Sequence, residues 1–259
     1  MSAQMDTLYN CLSVVRSGRG WATVAFNRPH KLNTLSIELR QELDVAVRDL
    51  EADENVHILI LTGTGKAFTA GLDLEDWSAS AEPAAAAYRW DAVASLKQFS
   101  GPIIAAINGL AITGGIEIAL ACDLIVASDQ ARFADTHVRV GLLPGWGGSA
   151  RMIERLGLHR AKELALTGRF FSAEEAARWG FVNEIVEHSQ LIPRVEAIAV
   201  EMLKAQPQHL VLYKQLLDNE AQLSFGDAMN FERERSRAVN AEVTQEEILG
   251  RLQKLVQRA

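Results

Sequence analysis

Cysteine is nearly missing from this chain: 259 residues contain two, Cys11 and Cys122. Both lie in apolar runs, which predicts buried free thiols rather than a disulfide and suits a reducing compartment. Long hydrophobic runs are missing as well. No stretch approaches the roughly 18 apolar residues of a membrane helix. The opening Met-Ser-Ala-Gln-Met-Asp has neither the basic nor the apolar region of a secretory signal. Positive charge is scarce: 26 Lys and Arg against 33 Asp and Glu leave a net charge of −7. That balance argues against nucleic acid as a partner and requires any anionic ligand to find a locally positive site. The six histidines are scattered with no pair at ligand spacing, so no metal site is expected. The expectation is a soluble, cytoplasmic protein with no membrane and no nucleic-acid partner.

What is present is ordinary globular material, 48% hydrophobic and 23% charged, long enough to bury a core without staples. Residues 11–15 and 21–26 read as strands around a Gly-rich turn. Ser36 reads as the N-cap of a helix over 37–52, with Leu39, Leu43, Val47 and Leu50 at helical spacing. Val56 to Leu61 is apolar throughout, the pattern of a strand buried on both faces. The spacing then predicts a loop over 78–83, an alanine-rich helix over 83–99, a strand over 103–107, a helix over 114–121 and a strand over 123–127. A turn-rich loop over 141–148 precedes helices at 149–156, 160–166 and 173–179, the last capped by Ser172. A final strand is expected over 181–186. Beyond about residue 190 the pattern is helical, and we place a domain boundary near residue 200.

Several motifs fail on inspection. Gly63-Thr64-Gly65 starts like a dinucleotide fingerprint, but Phe68 stands where the third glycine belongs. Gly65-Lys66 starts like a P-loop, but Ile60 and Ala67 break it. Gly147-Gly148-Ser149-Ala150-Arg151 lacks the closing glycine of a nucleophile elbow. Two stretches hold up better: Gly63 to Asp73, and Asn108 to Glu117. Each is glycine-bearing and follows a strand-like run, and glycine lets backbone approach a ligand closely. Two such turns can aim two N–H groups at one oxygen, which is what an oxyanion hole requires. Glu117, three residues past Gly114, is a candidate proton carrier beside them.

These blocks, with Asn27-Arg28-Pro29, Leu32-Asn33, Pro102 through Glu117, Ala121-Cys122-Asp123, Pro144-Gly145-Trp146-Gly147-Gly148, Leu166-Thr167-Gly168 and Gly180-Phe181-Val182-Asn183, resemble the enoyl-CoA hydratase/isomerase (crotonase) superfamily. The match covers roughly residues 10 to 190, in order and at plausible spacing. The resemblance implies an α/β fold, a crotonase-like spiral of ββα units over 1–200, with a helical C-terminal trimerisation region over 201–259. It implies a homotrimer or a dimer of trimers, an acyl-CoA thioester as substrate, and no cofactor, coenzyme A being part of the substrate. It puts the oxyanion-hole amides on Leu72 and Gly114 and a catalytic carboxylate on Glu117. It implies CoA contacts near Lys31, Leu32, Ala70, Asp73 and Leu74, and substrate contacts at Gly145 and Trp146.

The chain departs from the family pattern at three positions. His137 stands where a hydratase has its second catalytic glutamate. Histidine can act as acid or base near neutral pH, and it can also be a structural residue hydrogen-bonded in a loop; both readings stand at this point. Asp135 is placed to orient or replace it. Thr113 replaces a glycine of the usual Gly-Gly-Gly run. Trp146 replaces a small residue, either to shape the acyl pocket or to pack a core. Lys31 reads equally as a partner of a CoA phosphate and as a surface lysine. The expected activity is hydration of a 2-enoyl-CoA. The alternatives are an isomerase, decarboxylase or thioester hydrolase built on the same oxyanion hole, or a non-catalytic acyl-CoA-binding protein.

Overall fold

Strand runs with apolar residues on both faces have to be covered on both sides, and this chain covers them by winding between two sheets. The computed structural model describes residues 4–6, 8–79 and 90–256. In chain order the elements are β1 (Gln4–Asp6), β2 (Leu12–Arg16), β3 (Trp21–Phe26), α1 (Ile37–Glu51), β4 (Ile58–Gly63), β5 (Ala67–Thr69), α2 (Leu74–Ala79), α3 (Ala92–Leu96), β6 (Ile103–Ile107), β7 (Leu110–Ile112), α4 (Gly114–Ala121), β8 (Leu124–Ser128) and β9 (Arg132–Ala134). There follow α5 (His137–Val140), α6 (Gly148–Leu156), α7 (Leu158–Thr167), β10 (Phe171–Ser172), α8 (Ala173–Arg178), β11 (Glu184–Val186), α9 (Leu191–Met202), α10 (Pro207–Glu220), α11 (Phe225–Asn240) and α12 (Gln245–Val256).

One sheet has the order β1-β2-β3-β4-β6-β8-β11 and the other β10-β9-β7-β5. The first is antiparallel from β1 to β3 and parallel from β3 onward. From β4 the chain alternates: β4, β6 and β8 enter the first sheet, while β5, β7 and β9 run parallel in the second. Helices follow β5, β7 and β9. This is the spiral of ββα units that the resemblance implies.

Local chemistry explains most boundaries. The Ser36 hydroxyl accepts from the Leu39 amide at 3.2 Å and starts α1, whose Leu39, Leu43, Val47 and Leu50 are buried. Ser172 and Glu175 form a reciprocal capping box at α8. The expected strand over 56–61 lies two residues later, and the one expected over 181–186 keeps only its end as β11. Phe181 leaves the ladder for the core, stacking edge-on to Phe133 and Phe171 at centroid distances of 5.1 and 5.4 Å. Burying each phenylalanine contributes on the order of 2–3 kcal/mol. The cluster holds β9, the strand that leads to Asp135 and His137. Part of the expected alanine-rich helix, residues 83–89, lies outside the described residues; what is described is α3, capped by the Asp91 carboxylate. Contact density divides the chain into two compact units, residues 1–207 and 208–259. No residue of α10 or α11 is fully buried.

Candidate active site

The turn carrying Leu72 is built from residues far from it in sequence. The Leu35 amide donates to Gly71 O at 2.8 Å, and the Asp73 amide donates to Leu35 O at 3.4 Å. This bridge uses the Gly71 carbonyl and the Asp73 N–H and leaves the Leu72 N–H outside the ladder. Asn33 is wholly buried. Its Nδ2 donates to Thr64 O and Ala67 O at 2.9 and 2.8 Å, and its Oδ1 accepts from the Arg28 amide at 2.8 Å. Asn108 braces the same turn, donating to Gly65 O and Ala67 O and accepting from the Gly63 amide. Asp73 completes the frame by accepting from Arg28 Nη1 at 2.8 Å and Thr34 Oγ1 at 3.0 Å. Burial alone would raise the Asp73 carboxyl, but the bonds from Arg28, the Asp76 amide and Thr34 outweigh it and hold the group below its ordinary range.

The second turn comes into contact with the first through glycine. Gly71 has φ +88°, and a side chain there would meet Ile112 O at 2.9 Å and Gly114 N at 3.3 Å. A side chain on Gly114 would meet the Trp146 ring at 3.0 Å and Leu35 at 3.3 Å. The two turns therefore lie backbone to backbone. Gly114 is the first residue of α4, whose N-cap Thr113 makes no side-chain capping bond. The Ile116 and Glu117 amides donate to Thr113 O, while the Gly114 amide, at the positive end of the helix dipole, keeps its donor capacity. Thr113 itself sits at φ 55°, ψ −106°, a conformation suited to glycine and costly for a β-branched residue. It is pinned by its amide on Ala134 O at 2.8 Å and by its hydroxyl, 3.0 Å from that of Thr136. The missing family glycine at this position therefore has a structural consequence.

Glu117 lies one turn into α4 and is 3% exposed. Its Oε1 accepts from the Trp146 amide at 2.8 Å and the Gly148 amide at 3.1 Å. Its Oε2 faces His137 Nε2 at 3.7 Å. Burial pushes the Glu117 carboxyl above its ordinary range; the two amides and His137 pull it down without cancelling the effect, and the Asp135 charge adds to the rise. His137 and Asp135 are both buried, with Nδ1 and Oδ1 2.6 Å apart. The same Asp135 oxygen accepts from the His137 amide at 3.2 Å. Asp135 thus reaches His137 across Thr136, the N-cap of α5. A Nδ1–H donated to Asp135 leaves Nε2 as the working nitrogen, directed at Glu117.

The structure therefore brings Leu72, Gly114, Glu117, His137 and Trp146 together. Trp146 is buried, with one ring edge against Gly114 and its amide on Glu117. Gly145 is exposed, and the amides that hold Glu117 belong to the residues one and three positions after it. Among the residues expected near CoA, Leu32 and Leu74 expose apolar side chains, and the Ala70 amide is taken by Leu32 O at 3.0 Å. Lys31 pairs with Glu75 at 2.5 Å on the surface. Asn33, Asn108, Arg28 and Thr136 are supports that the sequence reading did not assign. Asparagine directly before Gly109 was the signal available for Asn108; Asn33 has no such neighbour. Away from this site, Glu42 accepts from the Asn10 and Cys11 amides at 2.8 Å each, and Cys11, Glu38 and Glu42 form a close group. Burial and the neighbouring Glu38 and Glu42 charges push the Cys11 thiol up to about 11, which makes it inert.

The sequence model of the enoyl-CoA hydratase/isomerase family matches residues 16–251. The chain is 35% identical over 238 residues to a probable peroxisomal enoyl-CoA hydratase 1 of Arabidopsis thaliana, covering 92% of this chain and 90% of that one. It is 36% identical over 220 residues to a short-chain-enoyl-CoA hydratase of Clostridium acetobutylicum, covering 82% and 83%. The crystal structure of an enoyl-CoA hydratase from Bacillus anthracis superposes with a TM-score of 0.88 at 31% identity, covering 96% of this chain and 97% of that one. With the spiral fold, the paired glycine turns and a family match over most of its length, the chain belongs to the enoyl-CoA hydratase/isomerase family.

Proposed function

We propose that this protein is an enoyl-CoA hydratase, adding water across the double bond conjugated to an acyl-CoA thioester. The observation that carries the reading is the 3.7 Å separation of Glu117 Oε2 and His137 Nε2 beside the abutting turns of Leu72 and Gly114. That separation is too long for a direct hydrogen bond and suits a water molecule held by both groups. In this reading the Leu72 and Gly114 amides receive the thioester oxygen. Each well-aimed donor stabilises the developing enolate by about 3–4 kcal/mol. His137 Nε2 takes a proton from water as its oxygen bonds to Cβ, and Asp135 holds the ring and balances the charge that forms. Glu117, kept protonated more readily by burial, gives its proton to Cα. Proton return from His137 to Glu117 resets the site. His137 thus fills the role of the second carboxylate. Lys31, Leu32, Ala70, Asp73 and Leu74 border the CoA moiety, and Gly145 and Trp146 the acyl end.

The exposed apolar residues Tyr213, Leu217, Phe225 and Met229 in the C-terminal unit support a homotrimer or dimer of trimers. Light scattering of the purified protein tests this. The two cysteines, both buried and neither in a disulfide, support a cytoplasmic, reducing location. No helix among the described residues is long and apolar enough to cross a membrane.

The activity is tested by incubating a panel of enoyl-CoAs with the protein in deuterated, oxygen-18 water. Incorporation of both labels, abolished by Glu117→Gln with CoA affinity retained, is the expected result. Deuterium without oxygen-18 would identify proton transfer alone and overturn hydration.

A further inference from the structure

Trp146 is satisfied everywhere except at one atom. Its amide donates to Glu117 Oε1 at 2.8 Å, and its carbonyl accepts from Arg151 Nη1 at 2.8 Å. Its side chain is 5% exposed, and among the described residues the indole Nε1–H is buried without a hydrogen-bond partner. The other such atoms, on His209 and Glu220, belong to the C-terminal unit. A buried donor left unmade is costly, and native structures rarely keep one without a use. Phenylalanine would fill most of the same space with no such cost.

The ring itself lies against one of the two glycine turns. The benzo edge of the ring lies 3.0 Å from where a Gly114 side chain would begin. The Nε1 edge lies across the full width of the indole from that point. In the reading above, Gly114 holds the thioester oxygen. One ring-width is the reach from there to an acyl chain a few bonds beyond the reacting carbons. We propose that the Trp146 indole N–H is a specificity element that donates to an oxygen carried by the acyl chain, so that the preferred substrates are oxygen-bearing enoyl-CoAs rather than plain alkyl ones. This rests on the hydratase reading of the site. A site built to bond a substrate oxygen discriminates strongly against an analogue lacking it, because the protein donor is then left unpaired. The small residue usual at this position in the family offers no such donor.

The test pairs enoyl-CoAs of matched length, with and without a carbonyl at the fourth, fifth or sixth carbon. The wild-type protein is expected to favour one carbonyl-bearing substrate in kcat/KM by at least about 100-fold. Trp146→Phe is expected to cut that preference about 10-fold or more, mainly by lowering the rate on the oxygenated member. An unchanged ratio in Trp146→Phe, or equal use of both classes by the wild type, overturns the proposal. Crystals of the wild-type protein with the matched saturated, unreactive acyl-CoAs give a second readout that needs no variant and no turnover. The ligand oxygen is expected about 3 Å from Nε1. A bound ligand whose oxygen lies elsewhere overturns the proposal and leaves the hydratase reading standing. Failure of every acyl-CoA to bind removes both.

Discussion

The two halves of the site are held in different ways. The turn carrying Leu72 is braced by residues that touch no reacting atom in the proposed mechanism: Asn33, Asn108, and the Arg28–Asp73 pair with Thr34. The loop of Trp146 and Gly148 is braced by Glu117 itself, whose Oε1 binds both amides. One half separates support from chemistry, and the other assigns both to a single carboxylate. The titration of the two acids follows the same division. The Asp73 carboxyl is held low by its partners, while the Glu117 carboxyl is pushed up by burial.

The largest expected break is Glu117→Gln. Its amide oxygen can still accept from Trp146 and Gly148, so the loop stays in place while hydration falls about 10³-fold. The sign of the stability effect is set by the raised carboxyl. The folded state binds that proton more tightly than the unfolded chain, so Glu117 costs stability as pH rises from the ordinary glutamate range through its raised value. Glu117→Gln should therefore raise the melting temperature at neutral pH, with the gain fading in acid. A variant that melts lower at neutral pH would show that the carboxylate is worth more to the loop than its burial costs.

Asn33→Ala breaks the other half. It removes three hydrogen bonds from a wholly buried group and should cost about 3 kcal/mol in denaturant unfolding. Gly148→Ala sharpens the contrast. The new methyl would lie 2.7 Å from Glu117 Cγ and must displace a group that both catalyses and supports. Turnover should drop about 10²-fold with folding stability little changed. The same size of loss in both quantities would mean that the loop, and not the carboxylate, had moved.

Asp73→Asn should cost about 2 kcal/mol at neutral pH by removing the charged bonds from Arg28 and Thr34. Asp73 stabilises above its unfolded titration range, and that contribution disappears as pH falls through its lowered folded value. Wild type and variant should therefore converge in stability toward strong acid, as with Glu117→Gln, but from a neutral-pH difference of the opposite sign. Thr113→Gly carries the smallest effect. Relief of the φ 55°, ψ −106° backbone exceeds the loss of the Thr136 contact and the extra unfolded-state entropy, for a net gain of about 1 kcal/mol. A destabilised Thr113→Gly would mean that the hydroxyl pair outweighs the strain.

Much of this molecule was determined locally and is readable from residues in order. Ser36 with four leucine and valine positions specifies α1, Ser172 with Glu175 specifies α8, and the apolar runs specify the long strands of the first sheet, because capping and periodicity are short-range effects. The glycines at 71 and 114 mark close backbone approach before any partner is known. The three-residue strands β5, β7 and β9 carry too few residues for a periodic signal and exist only because each pairs with a neighbour distant in sequence. The same holds for the chemistry. Glu117, Asp135 and His137 stand in the sequence as isolated titratable residues. The contact of His137 with Asp135 at 2.6 Å and its 3.7 Å approach to Glu117, the capture of Glu117 by two amides some thirty residues away, and the unpartnered indole of Trp146 arise only when the spiral closes. Burial and long-range pairing set them, and neither is a property of any short stretch of chain.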